Sequence, residues 1–228
     1  MKGILSLILM LGVFSIGVKA SHAELPWQFA EHTRYMVMGD SLGSGYGAIP
    51  QTSGYAYQLY KKGAFDQQPN TLFCNASVIG VTSADVLANQ VPQAFVFRPD
   101  VVTLTVGGND LAKIMEGADP FSVLMEFQDN LTKILYQLVI ELGTTVYIAN
   151  LYVIDEIPNA DIIVPAFNQI VEGVAAGFGN VAVADLQSPF QARHGLLLIE
   201  RNGASPLEIH PTNAGHTAIA KAFLDAMP

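Results

Sequence analysis

Ser41 lies in "VMGDSLGSGYGA", residues 37–48, where an apolar run ends in Gly-Asp-Ser and three further glycines follow. A hydroxyl placed straight after a buried strand either caps the next helix or acts as a nucleophile. Which it does depends on partners elsewhere in the chain. Gly80 and "GGND", residues 107–110, follow later apolar runs, and His210 precedes the last helical pattern. A hydroxyl, a glycine amide, a carboxamide and an imidazole together can attack a carbonyl and hold the negative oxygen that results. The glycines would also suit a phosphate loop. Their spacing matches neither G-x-G-x-x-G nor G-x-x-x-x-G-K-[ST], so nucleotide binding loses its main support.

These groups are useful only if the fold brings them together. Short apolar runs at 35–38, 76–79, 101–106, 146–149 and 181–184 are rich in β-branched residues, as expected of strands buried on both faces. Helical patterns separate them. The clearest covers 121–142, with Asp119 as cap, Pro120 in the first turn, Leu131, Ile134, Leu135, Leu138 and Leu142 on one face, and Gly143 as the stop. The last helix begins near Thr212 and stacks Ala214, Ala218, Ala222 and Ala226 beside Ile219 and Phe223. Strands alternating with helices predict a five-stranded parallel sheet in a three-layer α/β/α sandwich, because parallel neighbours need crossover connections. In such sheets ligands bind beyond the carboxyl ends of the strands. Ser41, Gly80 and Asn109 all fall there. The walls of the pocket are then expected in 111–117 and 151–165.

At this point the chain resembles the SGNH hydrolases, also called GDSL lipases or esterases. Gly39-Asp40-Ser41-Leu42 matches their first block, Gly80 in "NASVIGVTSADVL" their oxyanion glycine, "VGGND" their Gly-x-Asn-Asp block, and His210-Pro211 the block before the final helix. The four occur in family order and span nearly the whole chain. The resemblance implies a flavodoxin-like fold, Ser41 as nucleophile, and His210 as the base that takes its proton and returns it to the leaving group. The backbone N–H groups of Ser41 and Gly80 and the Asn109 side chain would hold the oxyanion. An acyl ester of a lipid or small molecule is the implied substrate, cleaved through an acyl-enzyme; a carbohydrate O-acetyl ester is the alternative. No cofactor is implied, and the scattered acids and histidines show no metal-ligand spacing. Asp40 and Asp110 read as acids that brace loops, His216 as a surface residue of the last helix, His32 as preceding the first strand on the wrong edge of the sheet, and His194 as lacking any motif.

One position departs from the pattern. The family usually has aspartate three residues before the histidine, to accept the imidazole Nδ1–H, and here that residue is Leu207. Glu208 could reach the ring instead. Alternatively, a backbone carbonyl or a remote acid orients His210 in a Ser–His dyad, or the chain is an impaired enzyme kept for binding.

Composition limits the setting. The chain has 228 residues, 50% hydrophobic and 14% charged, enough for one globular domain with a sizeable core. Residues 1–23 combine Lys2, an apolar run over 4–18 and small residues before Ser21 and Glu24, the pattern of a cleaved signal peptide, leaving 24–228 as a secreted or periplasmic domain with no stable membrane span. Cleavage would remove Lys2 and Lys19 and no acid, moving the net charge from −9 to −11. Such a surface repels phosphate backbones, so nucleic acid is excluded as a partner. Cys74 is the only cysteine and has no internal disulfide partner; its apolar neighbours predict a buried thiol. Asn75 and Asn130 begin glycosylation triplets. Nothing in the sequence fixes an oligomeric state.

Overall fold

Four of the five predicted strands form where the β-branched runs place them. The computed structural model describes residues 33–61, 64–65, 71–192, 194–198 and 209–228, all within one compact unit spanning 31–228. The segment 1–23, His32, Leu207 and Glu208 lie outside the described residues. The strands are β1 (Arg34–Gly39), β2 (Leu72–Asn75), β3 (Val101–Thr105), β4 (Thr145–Ala149) and β5 (Val181–Ala184). All pair in parallel, in the order β2-β1-β3-β4-β5. This is the flavodoxin-like order, and it reverses direction between β1 and β3.

β2 differs from expectation by four residues. The run 76–79 was expected as strand, but Val78 and Ile79 are 52% and 54% exposed and the strand precedes them. As an edge strand, β2 is only partly buried, so its apolar content is diluted and the richer run beside it misleads. Cys74 lies in this strand and is half-buried, less than predicted; burial pushes its thiol pKa up.

The described helices are α1 (Ser41–Ser44), α2 (Tyr55–Lys61), α3 (Ser83–Asp85), α4 (Val91–Phe97), α5 (Gly108–Met115), α6 (Pro120–Leu135), α7 (Ala160–Ala175), α8 (Gln187–Ala192) and α9 (Asn213–Ala226). A π turn at Val86–Gln90 joins α3 to α4, and another at Tyr136–Glu141 extends α6. The predicted cap forms, Asp119 accepting the Ser122 N–H, and the last helix starts after Thr212, whose hydroxyl accepts the Gly215 N–H. Strand alternation sorts the layers. Met36, Met38, Leu104 and Ile148 pack with α4, α5, α6 and α7, whereas Tyr35, Val37, Tyr147 and Ala149 pack with α2, α8 and α9. Among the described residues no helix is long and apolar enough to cross a membrane.

Candidate active site

The sheet brings β1 and β3 side by side, so the segments that leave their carboxyl ends meet. Gly39 is paired with Thr105, and a Cβ on Gly39 would lie only 1.8 Å from the Thr105 carbonyl oxygen. No other residue lets the two strand ends approach so closely. Asp40 then turns the chain: its Oδ1 accepts the Leu42 N–H at 3.0 Å and the Thr105 hydroxyl at 3.0 Å, which caps α1 and ties it to β3. Ser41 is the first residue of that short helix, and Asp40 rather than Ser41 is its cap. The Ser41 hydroxyl is therefore left for another partner. That partner is His210, whose Nε2 lies 2.9 Å from Ser41 Oγ across 169 residues of sequence.

Hydrogen bonds on both sides fix the His210 segment. The His210 carbonyl accepts the Leu198 N–H at 2.8 Å and the Thr212 N–H donates to Leu196 at 2.7 Å, forming a small antiparallel bridge. The Tyr152 hydroxyl donates to the Ile209 carbonyl at 3.5 Å. Tyr152 is itself stacked on Phe190 at 4.1 Å, and burial holds its phenol well above the ordinary value.

Asn109 enters from β3 by way of Gly107 and Gly108. Its Nδ2 donates to the Val81 carbonyl at 2.8 Å, which places the carboxamide beside the Gly80 turn. Asp110 anchors the same two loops, as predicted of a bracing acid: it accepts the Ser83 N–H at 2.9 Å and the Ser83 hydroxyl at 2.6 Å. Asn130 Nδ2 donates to that hydroxyl at 3.0 Å. Burial raises the Asp110 pKa against these bonds. Gly80 is exposed, five residues past β2, with nothing within 4 Å of where a side chain would start.

Burial also pushes Asp40 up to about 6, against the lowering effect of its bonds from Leu42 and Thr105. His216 is not a surface residue. It is fully buried, its Nε2 2.8 Å from the Tyr46 carbonyl and its Nδ1 accepting the Tyr55 N–H at 3.4 Å. Burial holds its pKa below the usual histidine value, so the ring is neutral with its proton on Nε2. The sequence did carry a signal, since His216 stands three residues before Ile219 and seven before Phe223, in the same buried stripe. Neither glycosylation triplet presents an open amide. Asn130 is buried, and Asn75 donates to the Gly43 carbonyl while accepting the Ser77 N–H.

An apolar cavity of ≈ 220 Å³ lies against Ser41, Asn109 and His210. Leu111 and Ala112 of α5, Leu151, Tyr152, Ile154 and Ile157 of the loop after β4, and Ala160 and Val164 of α7 form walls in the two segments expected from sequence, and Val106, Ala149 and Ile209 add to them from outside those segments. A serine hydroxyl in contact with an imidazole at the mouth of an apolar chamber is suited to acyl transfer.

The model of the GDSL-like lipase/acylhydrolase family matches residues 37–218, which include Ser41, Gly80, Asn109 and His210. The chain belongs to that family. It is thereby an ester hydrolase. No curated protein matches the chain. Among solved structures it is similar to the lipase Lip_vut3 from a goat rumen metagenome, with a TM-score of 0.70 and 24% identity over 86% of this chain and 97% of that one. TesA aligns with a TM-score of 0.67 and 22% identity, over 86% and 98% of the two chains. A catalytic mutant of Axe2, an acetylxylan esterase from Geobacillus stearothermophilus, aligns at 0.69 and 19%, over 85% and 93%. These likenesses establish the shared three-layer fold of the GDSL family.

Proposed function

We propose that this protein hydrolyses esters of a single short-to-medium acyl chain, with Ser41 as nucleophile and His210 as general acid–base. The observation that carries the reading is the 2.9 Å contact between His210 Nε2 and Ser41 Oγ beside the apolar cavity. Ser41 Oγ attacks the ester carbonyl carbon while Nε2 takes its proton. The oxyanion accepts from the N–H groups of Ser41 and Gly80 and from Asn109 Nδ2. As the tetrahedral centre collapses, the bond to the alcohol oxygen breaks and His210 returns the proton to it. Water, deprotonated by the same imidazole, then attacks the acyl-enzyme, and the acid leaves as Ser41 regains its proton.

The cavity favours acyl over sugar recognition. Its walls are chiefly Leu, Ile, Val and Ala, and its ≈ 220 Å³ exceed what an acetyl group fills yet fall short of the roughly 300–1,000 Å³ typical of drug-sized ligands. One unbranched chain suits that volume. Glu208, two residues before His210, is assigned as the acid that orients the ring. Residues 1–23 are assigned as a signal peptide, cleaved on export to the periplasm or the medium, and an exported protein that retained Met1 would refute this.

The deciding experiment is hydrolysis of nitrophenyl esters, acetate through decanoate, by the mature protein beside Ser41→Ala, with fluorophosphonate labelling of both. Turnover and labelling lost together in the variant are expected. A wild-type protein that is neither active nor labelled would make this a binding protein with the same pocket.

A further inference from the structure

Ser41 and His210 belong to segments far apart in sequence, and residues 45–49 are bonded to both. The Tyr46 N–H donates to the Ser41 carbonyl at 3.0 Å. The Tyr46 ring lies against the His210 ring, with centroids 4.3 Å apart. The Tyr46 carbonyl accepts from His216 Nε2 at 2.8 Å. One residue thus touches the nucleophile's own peptide, the imidazole and a buried second histidine.

The rest of the loop is held as closely. A Cβ on Gly47 would lie 2.3 Å from the Pro211 carbonyl oxygen, so the loop runs in contact with the backbone beside His210. Asn213, three residues beyond His210, accepts the Ile49 N–H at 2.8 Å and donates to the Ile49 carbonyl at 2.7 Å. His216 receives the Tyr55 N–H, which links the same loop to the start of α2. A loop that merely joined α1 to α2 would need none of these bonds to the His210 segment.

We infer that residues 45–49 form a strap that sets the register of Ser41 against His210, with Tyr46, His216 and Asn213 as positioning residues. The inference rests on the reading of Ser41 and His210 as the reacting pair. Its leverage comes from geometry: a reacting group misplaced by about 1 Å can cost on the order of 100-fold in rate. Tyr46 has a structural reason to be aromatic, since a ring set at 57° against the imidazole restricts its rotation while leaving Nε2 to face Ser41.

The test uses the full chain as wild type, Ser41→Ala, Tyr46→Leu, His216→Leu and His216→Gln. Each is checked for cooperative unfolding, then measured for the rate of fluorophosphonate labelling and for kcat and KM on one nitrophenyl ester. Tyr46→Leu and His216→Leu should each lower the labelling rate and kcat by roughly 10- to 100-fold with KM little changed. Glutamine can place its Nε2 near the Tyr46 carbonyl, so His216→Gln should recover most of that loss. Tyr46 is 39% exposed, so its variant should fold even if His216→Leu does not. Wild-type labelling and kcat in folded Tyr46→Leu, or a change confined to KM, would overturn the strap and leave the Ser41–His210 reading standing. A wild-type protein that takes no label would overturn that reading and the strap with it.

Discussion

Gln90 closes two hydrogen bonds around Gly39: its Oε1 accepts the Gly39 N–H at 2.6 Å and its Nε2 donates to the Gly39 carbonyl at 2.8 Å. Gln90 ends the π turn between α3 and α4, an irregularity that turns this polar side chain toward the end of β1. Asn168 holds Leu151 in the same way, at 2.8 Å for both bonds, and Asn213 holds Ile49. Peptide groups at the carboxyl edge lose sheet partners as the chain turns away, and buried ones must find others. Gln90 and Asn168 supply them at the nucleophile turn and the cavity wall, and Asn213 makes the same pair of bonds to the exposed Ile49 peptide in the loop beside His210.

Gln90→Leu should therefore loosen the nucleophile turn as well as the fold. It leaves the buried Gly39 N–H without its acceptor, a cost of about 1–3 kcal/mol that a shift in the urea unfolding midpoint would measure. The kcat should fall with it, because Gly39 stands two residues before Ser41. A stability loss with no change in kcat would separate the clamp from the chemistry.

Asp40 gives a pH-dependent prediction with a defined sign. Its folded pKa is raised from 3.8 to about 6 by burial, so protonation favours the folded state. That stabilising contribution is fully present below about pH 3.8 and is lost as pH rises through 6. Asp40→Asn can still accept from Leu42 and Thr105 but never ionises. Its stability relative to wild type should rise by on the order of 2 kcal/mol between pH 4 and 7, measured by denaturant unfolding at several pH values. A pH-independent difference would show that Asp40 is not the titrating group.

Much of this was legible in the sequence, for physical reasons that also explain the failures. The runs that became β1, β3 and β4 stood out because strands buried on both faces are continuously apolar. Of the two partly buried edge strands, β5 was still marked by its unbroken run Val181–Ala184, whereas β2 ends in Asn75 and is followed by a richer apolar run that is not strand. Ser41, Gly80, Asn109 and His210 were marked by local motifs. The structure brings Ser41, Asn109 and His210 to one cavity, with Gly80 on the adjoining turn. Gln90 and Asn213 carry no local signal as clamps, since their partners lie 51 and 164 residues away. Asn168 was partly visible, four residues after Val164 and three before Val171 on the buried stripe of α7. A polar residue in such a stripe signals a buried partner rather than surface, the inference that would also have placed His216 correctly.

The cavity predicts how rate depends on chain length. Each methylene buried contributes about 0.8 kcal/mol, so kcat/KM should climb by up to about fourfold per added carbon until the ≈ 220 Å³ are filled, then fall. Ala160 lines the cavity from α7 and is 2% exposed, so Ala160→Leu places extra carbons inside it. The variant should keep its activity on acetate while its optimum moves to shorter esters. An unchanged profile would mean that the acyl chain lies elsewhere, along the exposed Val78–Ile79 surface rather than in this chamber.

Glu208 is the acid proposed to orient His210. With leucine at the usual aspartate position, the ring's Nδ1–H needs an acceptor that holds the tautomer in which Nε2 can take the Ser41 proton. A carboxylate also stabilises the imidazolium that forms in the transition state, which a neutral amide cannot do. Glu208→Gln should accordingly lower kcat by on the order of 10² to 10⁴, leave KM nearly unchanged, and slow fluorophosphonate labelling in parallel. Because the substitution keeps the side chain's size, an unfolding midpoint near that of wild type would exclude misfolding as the cause. Full activity in a folded Glu208→Gln would instead make this a Ser–His dyad whose ring is oriented by a backbone carbonyl or a more distant acid.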